Sequence, residues 1–173
     1  GSHTPTKLAV TGKNDPKHGK GTFLIDWSAR QKLAVPGKEV GSFEVTYSHV
    51  TDDTTVDVNF RQVKNDQGQL VDATYHYAQV AGGDGSFKFA TESDAKHDGT
   101  PEKFAIHSRW DKTGAGRADL RISGSGLAAG VTGSECWDTA FAETFYKDSA
   151  NFLPAQGQES ACTIQGAVYY EGN

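Results

Sequence analysis

A chain of 173 residues and 18.5 kDa has the size of one domain, which buries roughly two-thirds of the surface its unfolded form exposes. Its 17 Lys and Arg against 22 Asp and Glu give a net charge of −5, and no window holds the basic cluster a phosphate backbone requires, so nucleic acid is not an expected partner. No run approaches the roughly 18 consecutive apolar residues of a membrane helix, so no transmembrane segment is expected.

Gly1-Ser2-His3 reads as the scar of a cleaved affinity tag, leaving 4–173 as a single β-rich domain. Alternating apolar runs then recur between turn-forming residues. They predict strands over 7–11, 20–29, 40–50, 54–64, 70–80, 85–91, 103–110, 117–123, 134–146 and 161–170. The connections carry turn chemistry, as in Asp52-Asp53, Asn65-Asp66-Gln67-Gly68, Gly82-Gly83-Asp84-Gly85 and the Gly-rich stretch 112–116. Short connections of this kind favour antiparallel neighbours. In 136–146, Trp137, Phe141 and Phe145 fit both helical spacing and strand alternation, and the Thr, Cys and aromatic content favours a strand. The expected fold is all-β: a twisted antiparallel meander, as a curved half-barrel or a sandwich, with a C-terminal disulfide-linked hairpin.

Alternation also assigns faces. Phe43, Val45 and Tyr47 share a parity, as do Val56, Val58 and Phe60, then Val71, Ala73, Tyr75 and Tyr77, then Phe104, Ile106 and Trp110; these are the expected core side. On the opposite parity lie His76, His107 and Arg109, Asp119 and Arg121, a candidate ligand-binding face if their strands are neighbours. Two imidazoles near carboxylates also suit a metal-dependent or His/Asp hydrolase, which requires His76, His107 and Asp119 to converge in a pocket. No nucleophile elbow, phosphate loop or dinucleotide fingerprint is present; Gly124-Ser125-Gly126-Leu127 reads as a turn.

Asp111, Gly116, Asp119 and Leu120 fit positions of a calcium loop, with Asp111 and Asp119 as the metal ligands. Thr113 and Ala115 stand where two further oxygen ligands belong, so a plain hairpin loop is the simpler reading and no cofactor is expected by default. Cys136 and Cys162 are the only cysteines, and one bridge between them is the pattern of a protein folded in an oxidising compartment.

The phrases Arg109-Trp110-Asp111-Lys112-Thr113-Gly114-Ala115-Gly116-Arg117-Ala118-Asp119 and Ser134-Glu135-Cys136-Trp137-Asp138, with a late second cysteine, are similar to those of uncharacterised bacterial envelope lipoproteins. The resemblance implies export, to the periplasm, the outer-membrane surface or the medium, and carries no assigned activity. The expectation is a non-enzymatic binding or interaction module for an envelope ligand or protein partner. The alternatives are a carrier of lipid or another apolar ligand in a half-barrel, and the hydrolase above.

Overall fold

The structure is a computed structural model that describes residues 6–15, 18–32, 39–65, 67–94, 98–124 and 130–172, with only the backbone described for 6–15 and for residue 30. The tag-like residues 1–3 and the Ser125–Leu127 part of the expected turn lie outside the described residues. Strands β1 (Thr6–Asp15), β2 (His18–Asp26), β3 (Ser42–His49), β4 (Thr54–Lys64), β5 (Leu70–Gln79) and β6 (Gly85–Ser93) are followed by β7 (Glu102–Trp110), β8 (Gly116–Ser123), β9 (Val131–Trp137), β10 (Glu143–Asp148) and the two-residue β11 (Gln156–Gly157). One helical turn, Trp27–Arg30, follows β2, its first turn closed by the Asp26 carboxylate accepting from the Ala29 N–H at 3.0 Å. A 3-10 turn, Glu159–Ala161, follows β11.

All strands form one open antiparallel sheet in the order β1 to β11, each paired only with its sequence neighbours. The all-β antiparallel meander expected from alternation is therefore the fold. Two details differ. The aromatic run 136–146 is not one strand but a hairpin, with Trp137 ending β9, Phe141 in the turn and Phe145 in β10. Residues 161–170 do not join the sheet edge; after Cys162 the chain runs without strand pairing across one sheet face.

Four hairpin turns share one construction. In 65–69, 80–84, 111–115 and 138–142 the first N–H donates to the fifth carbonyl, and the fourth N–H donates back to the first carbonyl, all at 2.9–3.0 Å. The fourth residue must take positive φ: it is Gly68 (80°), Gly83 (95°) and Gly114 (88°) in three of them, and Phe141 (60°) in the last. A side chain in this conformation costs about 1–2 kcal/mol through the clash of Cβ with the following carbonyl. Phe141 is 76% exposed, so little packing offsets that strain. Replacing it with glycine is expected to raise stability by about 1 kcal/mol, read as a higher urea midpoint.

The aromatic parity also shows a repeated fit. Trp110 faces Gly85 across the β6–β7 ladder, and Trp137 faces Gly116 across β8–β9. In both pairs the indole lies flat over the glycine, where an added Cβ would overlap the ring. The bare Gly85 backbone lets Trp110 reach Tyr77 one strand further on, with ring centroids 5.6 Å apart. Trp137 is pinned by its Nε1 donating to the Gly114 carbonyl at 2.8 Å. Gly116→Ala is expected to cost about 1–3 kcal/mol by overpacking against Trp137, measured by urea unfolding, while Gly19→Ala, with open space around it, serves as the neutral control.

Burial inverts the sequence expectation. The residues read as the core side, Phe43, Tyr47, Val58, Phe60, Tyr75, Tyr77, Phe104 and Ile106, are all partly exposed. They touch one another along the sheet, as in the Phe43–Phe60 and Tyr75–Phe87 ring pairs at 5.6 and 4.6 Å. The most deeply buried large side chains are Arg117, Glu102, Asp119 and Cys136. Three of these lie on the polar parity, under the C-terminal segment.

Candidate functional site

The ladders place one residue from each of β3 to β9 in a row across the polar face: Thr46, Asp57, His76, Lys88, His107, Asp119, Ser134. Neighbouring strands lie about 4.8 Å apart, so His76 and His107, two strands apart, sit roughly 10 Å from each other with Lys88 between them. His76 turns the other way, its Nδ1 2.6 Å from the Asp57 carboxylate. His107 and Asp119 are direct cross-strand neighbours, joined by Arg109 and Arg121 of the same face. The structure thus brings together four of the five expected ligand-face residues and leaves His76 in a separate pair.

Asp119 is the centre of the cluster. Its Oδ1 accepts from Arg117 Nε at 2.8 Å and Ser134 Oγ at 2.7 Å, and its Oδ2 from an Arg109 amino group and the Val168 N–H, both at 3.0 Å. Its exposure is 0%, so no oxygen faces solvent. Burial opposes ionisation, but the Val168 amide, the Ser134 hydroxyl and the Arg117 guanidinium outweigh it and hold the carboxyl below its ordinary value. Arg117 is just as buried and also donates to Glu159 at 2.7 Å, and both pairings raise its pKa against the opposing effect of burial.

The residues after Cys162 cover this row. His107 Nδ1 donates to the Val168 carbonyl at 3.1 Å, while the N–H of the same residue donates to Asp119, so two neighbouring side chains take both main-chain groups of Val168. Arg109 donates to the Gly166 carbonyl at 2.7 Å and Lys103 to the Gly172 carbonyl at 3.2 Å. Arg121 pairs with Glu171 at 2.7 Å, and the Lys88 ammonium sits 5.7 Å from the centre of the Tyr170 ring. The Cys136–Cys162 disulfide, Cα–Cα 5.6 Å, fixes the start of this segment to β9 beside Phe145, over which the Arg117 guanidinium stacks at 6.0 Å.

The two proposed metal ligands stand apart. Asp111 caps its own turn, accepting from the Thr113 N–H at 2.8 Å and from the Thr113 hydroxyl, which lowers its pKa. The β7–β8 ladder carries Asp119 from the Trp110–Gly116 pair to the His107 pair, about 10 Å further along the strand. Among the described residues no group of three or more His, Cys, Asp or Glu is placed to hold a metal ion.

Lys88, Arg117 and Ser134 complete the cluster and were not singled out from sequence. Lys88 and Arg117 share the polar parity of His107 and Asp119, so alternation alone carried the signal. The covering segment 166–172 had none, because it engages the face chiefly through main-chain atoms.

His107 is held below its ordinary pKa by burial and by the charges of Lys88 and Arg109, against the opposing pull of the Val168 carbonyl and Asp119. Both it and Asp119 therefore bind protons less readily folded than unfolded. The contribution of His107 is present above its unfolded value of about 6.5 and is lost as pH falls through its lowered folded value; that of Asp119 is present above about 3.9 and is lost below its own. Stability is expected to fall in two stages on acidification. His107→Gln should abolish the upper stage in urea midpoints measured from pH 8 to 3.

Comparisons of the chain with protein-family models, with curated proteins and with solved structures give no match. The class that fold and site define is an open antiparallel meander with one polar face latched by its own disulfide-anchored C-terminal segment. No helix among the described residues is long and apolar enough to cross a membrane.

Proposed function

We propose that the protein is an exported binding module of the cell envelope or its surroundings, without catalytic function, and that its aromatic sheet face carries the ligand. The observation that supports this reading is the partial exposure of a continuous apolar surface running through Phe23, Phe43, Val58, Tyr75, Phe87 and Ile106. A sheet whose only role is structural buries its aromatic face against a second layer. Aromatic rings spaced along a pleated surface suit an apolar ligand or the apolar face of a partner. The disulfide is compatible with the oxidising compartment that export implies.

Titration with the apolar probe N-phenyl-1-naphthylamine, followed by two-dimensional NMR, tests this. Saturable binding with shift changes centred on Tyr75 and Phe87, lost in Tyr75→Lys, is the expected result. Absence of saturable binding, or shift changes confined to the opposite face, overturns it.

A further inference from the structure

The C-terminal segment lies over the polar face in step with β7. Gly166 sits over Arg109, Val168 over His107 and Gly172 over Lys103, so the segment keeps step with the strand while running the opposite way, and only Ala105, which has no side-chain donor, is passed over. The segment bends at Gly166 and Gly172, which take positive φ of 75° and 65°, and no residue between them does; the repeat of the strand beneath is about 6.6–6.8 Å. Ala90 and Ala105, both buried, form the floor beneath its end, where Gly172 lies against Ala90 and Lys103. The face therefore engages a peptide backbone through the carbonyls of Gly166, Val168 and Gly172.

Its cations outnumber the carboxylates of the face and of the residues beside it, five to four. On this face β6–β8 carry Lys88, Lys103, Arg109, Arg117 and Arg121, with Glu92 and Asp119 as the only carboxylates, in a chain whose net charge is −5. The covering segment adds one carboxylate to the central part, Glu171, and Glu159 beside the disulfide. Two donors, Arg109 Nε and Arg121 Nε, are buried without a hydrogen-bond partner among the described residues. A buried donor left unmatched costs free energy that a better-matched acceptor would recover. The tether is also suited to exchange. With Cys162 bonded to Cys136, the residues that follow can lift away without disturbing β10 or β11.

We propose that the cationic trough of β6–β8 is a binding site for an extended acidic peptide, and that residues 166–172 are its built-in competitor. Main-chain carbonyls fix the register, and carboxylates at alternate positions supply the acceptors that the present occupant lacks. The trough lies on the sheet face opposite the aromatic one, so it stands or falls independently of the apolar-ligand reading.

The test uses the full chain with its disulfide intact. A fluorescein-labelled decapeptide with the sequence of residues 163–172 carrying Ala167→Glu and Tyr169→Glu, so that glutamates stand at alternate positions with Glu171, and the same peptide with its glutamates changed to lysine, are titrated against the unaltered protein and two variants. Val168→Pro removes the N–H that Asp119 accepts, and Glu171→Arg sets two guanidiniums against each other with the backbone unchanged. Both variants are expected to bind the acidic peptide at least tenfold tighter than the unaltered protein. The lysine peptide should bind at least tenfold more weakly, and adding Arg121→Glu to either variant should remove binding. No tightening in either variant overturns the proposal, as does equal binding of the two peptides. Binding of a heparin fragment where the acidic peptide fails overturns it in favour of a polyanion site.

Discussion

Asp119→Ala is expected to destabilise the protein by about 3–5 kcal/mol, the largest effect of any single side chain. The carboxylate has 0% exposure and serves four donors, from β7, β8, β9 and the C-terminal segment. Its removal leaves Arg117, 1% exposed, facing Arg109 directly across the β7–β8 ladder without the charge that lies between them. The cost is mainly that of Arg109 desolvated without a carboxylate partner and of Arg117 left with Glu159 alone, rather than the loss of individual hydrogen bonds. Asp119→Asn keeps the volume and one acceptor, and a smaller loss of about 2 kcal/mol is expected. Urea unfolding gives both values. Equal midpoints for Asp119→Ala and the unaltered protein would mean that the cluster is held by something other than this carboxylate.

Removing the disulfide is expected to cost about 3 kcal/mol. Cys136 and Cys162 are 26 residues apart, and closing a loop of that size restricts the unfolded chain by roughly this amount in the chain-entropy model. A packing contribution adds to it, because the two sulfurs and Phe145 form the one cluster of buried hydrophobic side chains among the described residues. The Cys136→Ser, Cys162→Ser protein should show a lower urea midpoint. Hydrogen exchange at the Val168 amide should rise by more than at the sheet amides, since the segment loses its anchor while the ladders remain. An unchanged Val168 exchange rate would show that the side-chain clasp holds without the tether.

Alternation made the meander legible, because a period of two needs no tertiary information: β3 to β8 fall within a few residues of where the apolar pattern places them. The same alternation assigned His107, Arg109, Asp119 and Arg121 to one face, and the ladder confirms that they are neighbours. What alternation cannot say is which face another layer covers. Phe43, Tyr75 and Phe104 read as interior because apolar side chains usually are, yet the chain spends its covering segment on the polar side. Nor could it show the segment itself. Its grip on Arg109, His107 and Lys103 uses carbonyls that every residue possesses, so the stretch 163–172 looks like an ordinary apolar strand. Trp137, Phe141 and Phe145 mimic helical spacing because a five-residue turn separates two strand ends.

The nearest-neighbour order of the sheet has a mechanical consequence. A meander of this kind, pulled from its ends, peels one hairpin at a time from β1 inward, since every strand is released once its single remaining neighbour carries the load. From the other end the force first lifts residues 163–172 and then arrives at Cys162, where the covalent bridge passes it straight to Cys136 in β9. The β10 hairpin and β11 hang outside that line of tension and bear none of it. The protein is therefore soft at its N-terminal edge and shielded at its C-terminal one, so tethered at the N-terminus to a surface it would yield on the tethered side first.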